Sequence, residues 1–190
     1  MKKILISLVS VVVFFTTSAF AKQVTLLMDW FPQGNQSGYW QAEFDNRYHT
    51  DVTIKVKAGG PKVNTTTAVA SGQVEFGLQA SDSVMLANAK GAGLKGIFVS
   101  LDHVPYTLVY HPNTGVNSVK DLDGRPFAVK MGVTYWKWVK HTYQLNKVKE
   151  FPLTGDLGLF ARTPQQFQQG YSLFLPARLD AKGVANEQIT

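Results

Sequence analysis

Val24-Thr25-Leu26-Leu27-Met28 runs straight into Asp29-Trp30-Phe31-Pro32-Gln33-Gly34-Asn35-Gln36-Ser37-Gly38. The first five residues are apolar but for one threonine, and Pro32 and Gly34 close the run, which predicts a short buried strand. The ten that follow combine an acid, two large aromatics, amides and two glycines on one strand-to-helix loop. Hydrogen bonding, stacking and close backbone approach are then available together, and the loop reads as the mouth of a ligand site.

Outward from that loop the pattern repeats. Ser37 to Tyr48 spaces Tyr39, Trp40, Ala42, Phe44 and Tyr48 at roughly helical intervals, with Asn35 or Ser37 as cap. Asp51 to Lys57 alternates Val52, Ile54 and Val56 with polar residues, the period of a strand with one buried face, and Gly59-Gly60-Pro61 stops it. A short helix over Asn64 to Ala70, a strand over Val74 to Gln79, and a helix capped by Ser81 or Asp82 and running to Lys90 complete the first half. Alternating strands and helices imply an α/β fold with a parallel, doubly wound sheet, whose ligands gather at the carboxyl ends of the strands. The loops 29–38, 59–62 and 79–82 leave those ends and are expected to meet at one crevice.

Leu94 to Leu101 and Thr107 to Tyr110 are further extended runs, and the second marks the crossing into another lobe. Residues 22–106 are accordingly read as a first α/β lobe, and 107–190 as a hinge with part of a second. Pro126 to Lys130 reads as a strand and Thr134 to Asn146 as a helix, followed by a strand near Val148 to Leu153. Thr163-Pro164 predicts a helix to Gln169, with an extended stretch at Tyr171 to Phe174. Gly132-Val133-Thr134 opens the second-lobe helix, where free backbone N–H groups suit an anionic or polar group.

The amino-terminal segment has Lys2 and Lys3, the apolar run Ile4 to Phe15, and Ser18-Ala19-Phe20-Ala21. Charged, hydrophobic and small-residue regions in that order predict a signal peptide, residues 1–21, cleaved after Ala21. The apolar run is shorter than the about 20 residues of a spanning helix. There is no cysteine to accept lipid, form a disulfide or supply a thiolate metal ligand. The net charge of +6 is spread as single lysines rather than as the dense patch expected for nucleic acid. His49, His103, His111 and His141 show no metal-ligand spacing, and no phosphate loop or nucleophile elbow is present.

Leu27-Met28-Asp29-Trp30-Phe31-Pro32 with Asn35 and Gly38, Val69 to Leu78, Asp121-Leu122-Asp123-Gly124-Arg125-Pro126, and Gln168-Gln169-Gly170-Tyr171 occur in one order along the chain. Together they resemble the Thi5/NMT1-like branch of periplasmic substrate-binding proteins that serve ABC transporters. The resemblance implies a periplasmic binding protein of type II, with two doubly wound lobes and a hinge closing over a small ligand. It further implies a periplasmic monomer, partnered by an inner-membrane permease and needing no cofactor. Relatives continue for on the order of a hundred residues, so the second lobe and the segment returning to the first would be incomplete here.

Within that frame Trp30, with Tyr39 or Trp40 nearby, would stack a flat heterocycle; Trp40 could equally fill the core. Asp29 would accept from ring amino groups, as would Asp82, which could instead be a plain helix cap beside Ser81. Phe31, Gly60 and Tyr106 are expected at the first-lobe side of the crevice, and Gly132, Thr134, Tyr135 and Tyr171 at the second. His103 is a candidate pocket residue on a crevice loop. A thiamine-type pyrimidine is the expected ligand; the alternatives are a small anion such as an aliphatic sulfonate, or a fragment that binds nothing and persists as an interaction module. The branch also contains pyrimidine-forming enzymes that hold pyridoxal phosphate on a lysine. Here Gln79 takes the lysine place and Ser83 the histidine place, which speaks against that catalysis. Leu175-Pro176 stands where the family has Glu-Pro.

Overall fold

The computed structural model describes residues 21–45 and 51–190. Residues 1–20 of the expected signal peptide, and the expected end of the first helix with Tyr48, lie outside them. Two separate sheets carry the fold. The first has the order β2-β1-β3 from β1 (Lys22–Leu27), β2 (Val52–Lys57) and β3 (Phe76–Gly77), all parallel. The second has the order β6-β5-β7-β4-β8, from β4 (Tyr106–Tyr110), β5 (Pro126–Val129), β6 (Lys149–Pro152), β7 (Phe167–Tyr171) and β8 (Glu187–Ile189). It is mixed: β5 is parallel to β6 and β7, whereas β4 runs antiparallel to β7 and β8.

Helices α1 (Ser37–Asp45), α2 (Thr65–Ala70) and α3 (Ser81–Asn88) belong to the first sheet. Asn64 begins α2 by accepting from Thr67 N, as its sequence suggests. α3 differs from expectation: Ala80, not Ser81 or Asp82, is its N-cap, and the Asp82 carboxylate accepts from Ser83 N at 2.6 Å inside the first turn. α1 is tied to β2 through Glu43, whose carboxylate accepts from Val56 N and pairs with Lys55.

The cores are unequal. Large side chains fill the second sheet and its helix α4 (Thr134–Tyr143): Leu122, Phe127, Val129, Trp136 and Phe167 are all buried together. A smaller cluster of Val109, Leu157, Phe160, Leu175 and Leu179 lies under helices α5 (Leu157–Arg162) and α6 (Leu175–Asp180). The first sheet buries fewer and smaller groups, chiefly Val24, Met28, Val56, Ala68 and Val74.

Two expected elements are absent, and the extended stretch expected at Tyr171 to Phe174 is extended only at Tyr171, which ends β7 before a turn closed by Phe174 N donating to Tyr171 O. The run Leu94–Leu101 pairs with no strand among the described residues, and Ile97, Phe98 and Val99 are 74%, 75% and 70% exposed. A strand needs a neighbour for its N–H and C=O groups, and β3, the edge nearest in sequence, pairs through two residues only. The helix expected at Thr163 to Gln169 is a correction of a different kind. Asp156 starts α5 earlier, accepting from Gly158 N, Thr163 ends it, and the glutamine-rich stretch becomes β7 between β5 and β4. Hydrogen bonding on both strand edges and burial of Phe167, Gln168 and Gln169 override the weak local preference of that stretch. Leu175 is buried against Gly170, where an added Cβ would collide with the Leu175 side chain.

Candidate functional site

Parallel pairing delivers Asp29 to the carboxyl end of β1. Met28 N donates to Lys57 O, the chain turns, and Gly59 N donates to Trp30 O at 3.0 Å, so the loops 29–38 and 59–62 are stitched together. Gly59 is required there: a Cβ would stand 2.1 Å from Met28 O and 2.6 Å from Trp30 N. A turn of 3-10 helix at Gly34–Gln36 folds the loop back. Gln36 is thereby buried, with Nε2 donating to Asp29 Oδ1 at a long 3.4 Å and Oε1 lacking any partner. Asn35 Oδ1 is buried and unpartnered as well. Burial raises the pKa of the Asp29 carboxyl, partly opposed by the ammonium of Lys130.

Lys130 comes from the second sheet, immediately after β5. Its backbone N–H donates to Gln169 Oε1, and its Nζ crosses to Asp29 O at 2.9 Å while standing 5.4 Å from the centre of the Trp30 ring. Beside it lies a cluster of three tyrosines. Register places Tyr106 of β4 opposite Tyr171 of β7, their rings 5.2 Å apart, and Tyr135 of α4 stacks on Tyr106 at 4.3 Å. Burial keeps all three phenols neutral: Tyr171 is pushed up to about 12, and Tyr106 and Tyr135 further still. The charge of Asp29 adds to the upward shifts of Tyr106 and Tyr171. Tyr135 Oη is buried without a partner.

Of the residues expected at the site, Asp29, Trp30, Tyr106, Tyr135 and Tyr171 thus converge. Phe31 packs edge-on to Trp30 at 5.6 Å and lies 3.3 Å from positions a Cβ would take at Gly60 and at Gly155, so it spans from one sheet's loops to the other's. Gly132 adopts φ 80°, a left-handed turn that lets the chain enter α4 at Thr134. Gly38 is exposed on α1 with nothing within 4 Å of a Cβ. Ser81 and Asp82 open α3, and no described side-chain contact joins them to the Asp29 cluster. His103 projects into solvent beside Asp102.

Lys130 and Gln36 were not anticipated. Lys130 does carry a usable signal, for it follows an apolar strand and precedes a glycine turn, the placement that marks Asp29. Gln79 is engaged locally, donating to Thr65 Oγ1 and accepting from Ala80 N. His111 is stacked on Phe160 with Nε2 against the Phe160 carbonyl, a packing role. Among the described residues no group of histidines and acids could hold a metal, and no helix is long and apolar enough to cross a membrane. An open concavity of about 470 Å³ along Pro32, Ser37, Trp40 and Phe44 lies on the other flank of the loop and contains none of the Asp29, Lys130 or tyrosine groups.

Several known structures share this architecture. A structure from work on glutathione import through GshT in Streptococcus mutans matches 90% of this chain and 76% of its own, at 16% identity and a TM-score of 0.64. An ABC substrate-binding protein from Streptococcus pneumoniae with bound histidine matches 88% and 74%, at 15% identity and TM-score 0.60. The periplasmic aliphatic sulphonate-binding protein SsuA of Escherichia coli matches 88% of this chain but 56% of its own, at 14% identity and TM-score 0.56. These likenesses establish the fold of type II periplasmic binding proteins. In sequence, the chain is 27% identical over 116 residues to the 4-amino-5-hydroxymethyl-2-methylpyrimidine phosphate synthase of Legionella pneumophila, across 57% of this chain and 34% of that enzyme. The chain therefore spans about a third of that relative's length. Residues 34–149 match the family described as NMT1/THI5 like. That match covers more than half of the sequence, and the chain belongs to the NMT1/THI5-like family.

Proposed function

We propose that the protein is the solute-binding component of an ABC importer, exported to the periplasm, which captures a flat nitrogen heterocycle of the thiamine-pyrimidine type by closure of its two sheet-bearing lobes. One observation carries the reading. The desolvated Asp29 carboxyl lies beside an unpartnered Gln36 Oε1, walled by Trp30 and the tyrosine cluster. Two adjacent acceptors without adequate donors favour a ligand rich in N–H groups, and aromatic faces favour a planar one. Capture proceeds without chemistry, because the amide of Gln79 cannot form the Schiff base that a lysine at that place would. A permease in the inner membrane would receive the ligand.

A small anion such as an aliphatic sulfonate is the second reading. It is favoured by the first turn of α4, whose N-cap Val133 supplies no side-chain oxygen, leaving backbone N–H groups beside Tyr135. Thermal shift with aminopyrimidines, flavins and alkyl sulfonates separates the two. A binder at a hundredfold excess over Kd gains about 2.7 kcal/mol. Aminopyrimidines should raise the melting temperature, and Trp30→Ala should abolish the effect. A response to sulfonates alone transfers the assignment to the second reading. No response to any of them, with aggregation of the purified protein, would mean a fragment that binds nothing.

A further inference from the structure

We infer that Lys130 is a specificity-determining residue of the cleft, an anion-seeking ammonium that restricts the ligand to planar amines bearing an acidic substituent, such as a carboxylate, phosphate or sulfonate. The inference rests on the heterocycle-binding reading above and narrows it. Four observations converge on this lysine. It is the one cationic side chain among the described contacts of the Asp29, Trp30 and tyrosine cluster. Its Nζ has a single hydrogen-bond acceptor, the main-chain oxygen of Asp29 at 2.9 Å, although an ammonium carries three donors. It forms no ion pair within 4 Å among the described residues, so Asp29 attracts it through space without neutralising it in contact. It is partly desolvated, and burial lowers its pKa, so a ligand anion would restore what burial removes.

The position of Lys130 gives the anion a direction. It directly follows β5, and two residues later Gly132 turns the chain into α4, whose first turn has no side-chain cap on its N–H donors. Asp29 and Gln36 present acceptors from the first sheet, and Lys130 presents a donor charge from the second. A ligand with an amino group at one end and an acid at the other satisfies both. A purely cationic amine would compete with Lys130 for Asp29, and a neutral heterocycle would leave the ammonium with its single acceptor.

Isothermal titration of the full chain with 4-aminopyrimidine-5-methanol and 4-aminopyrimidine-5-carboxylate, on wild type, Lys130→Met and Lys130→Arg, tests this. The carboxylate should bind wild type about tenfold or more tightly than the alcohol, consistent with a charge-assisted hydrogen bond. Lys130→Met should erase the preference, bringing the two affinities to within about twofold of each other, and Lys130→Arg should retain part of it. Equal binding of the two compounds by wild type, or a preference that survives in Lys130→Met, overturns the inference. If neither compound binds wild type, the heterocycle reading fails, and inorganic sulfate decides the role of Lys130 on its own. At matched ionic strength against chloride, sulfate should raise the melting temperature of wild type more than that of Lys130→Met. An equal rise in both removes Lys130 as an anion site.

Discussion

Replacing Gly59 by alanine is expected to distort the site through the backbone, at a cost that the structure allows to be worked out. The added Cβ would lie 2.1 Å from Met28 O, 2.6 Å from the Asp29 carbonyl carbon and 2.6 Å from Trp30 N, where real contacts stay beyond 3.0 Å. All three obstacles are main-chain atoms, so no side chain can swing aside, and the strands must part by about 1 Å. Overpacking of this kind costs about 1–3 kcal/mol. Losing the Gly59 N–H to Trp30 O bond adds about 1 kcal/mol, and the stiffer unfolded chain returns about 0.4–1 kcal/mol. A net destabilisation of about 1–3.6 kcal/mol lowers the melting temperature by roughly 2–14 °C in a chain of this size. Urea denaturation should show a lower midpoint with an unchanged slope. Gly38→Ala is the control, because it places a Cβ in open space on α1 and should stabilise by about 0.5–1 kcal/mol. The reasoning fails if Gly59→Ala melts within about 1 °C of wild type, or if Gly38→Ala is as damaging.

Three other outcomes follow from groups already described. Asp29→Asn should raise stability at neutral pH. Burial raises the folded-state pKa above its ordinary 3.8, so this group's contribution is fully present below that value and is lost as pH rises through the folded pKa. The variant's melting temperature should be flatter than wild type across that window, and heterocycle binding should weaken; a steeper profile would contradict the assignment. Tyr135→Phe removes a buried hydroxyl without a partner, so melting should change by less than the equivalent of about 1 kcal/mol while ligand affinity falls. A large loss of stability would reveal a partner for that hydroxyl. Asn64→Ala should cost about 1 kcal/mol by removing the cap of α2, read as a shifted denaturation midpoint with the ligand response preserved.

The residues that were legible in the sequence share a local signature. β1 and β5 announce themselves through apolar runs and β2 through apolar–polar alternation, each followed by glycine or proline, and the end of β1 exposed Asp29 and Trp30 as site candidates. Tyr171 was reached through a family motif and Tyr135 through the helix opened at Gly132, yet only the antiparallel register of β4 on β7 shows why Tyr106 joins them. What escaped the sequence depends on distant partners. β7 is a strand because β4 and β5 flank it, and 94–101 is not one because nothing among the described residues pairs with it, though Ile97, Phe98 and Val99 are excellent strand formers. Gln36 looked like a loop amide; its burial and stranded oxygen emerge only when the 3-10 turn folds it beneath Asp29.

Lys130 holds the main-chain oxygen of residue 29 and not its carboxylate. Every amino acid owns that oxygen, so the tie between the two sheets does not depend on which side chain stands at position 29. Ligand preference could therefore drift at that position, from acid to amide to hydroxyl, without loosening the joint. The joint between the sheets is thus set by the backbone at position 29, while the acceptor chemistry offered there is set by its side chain.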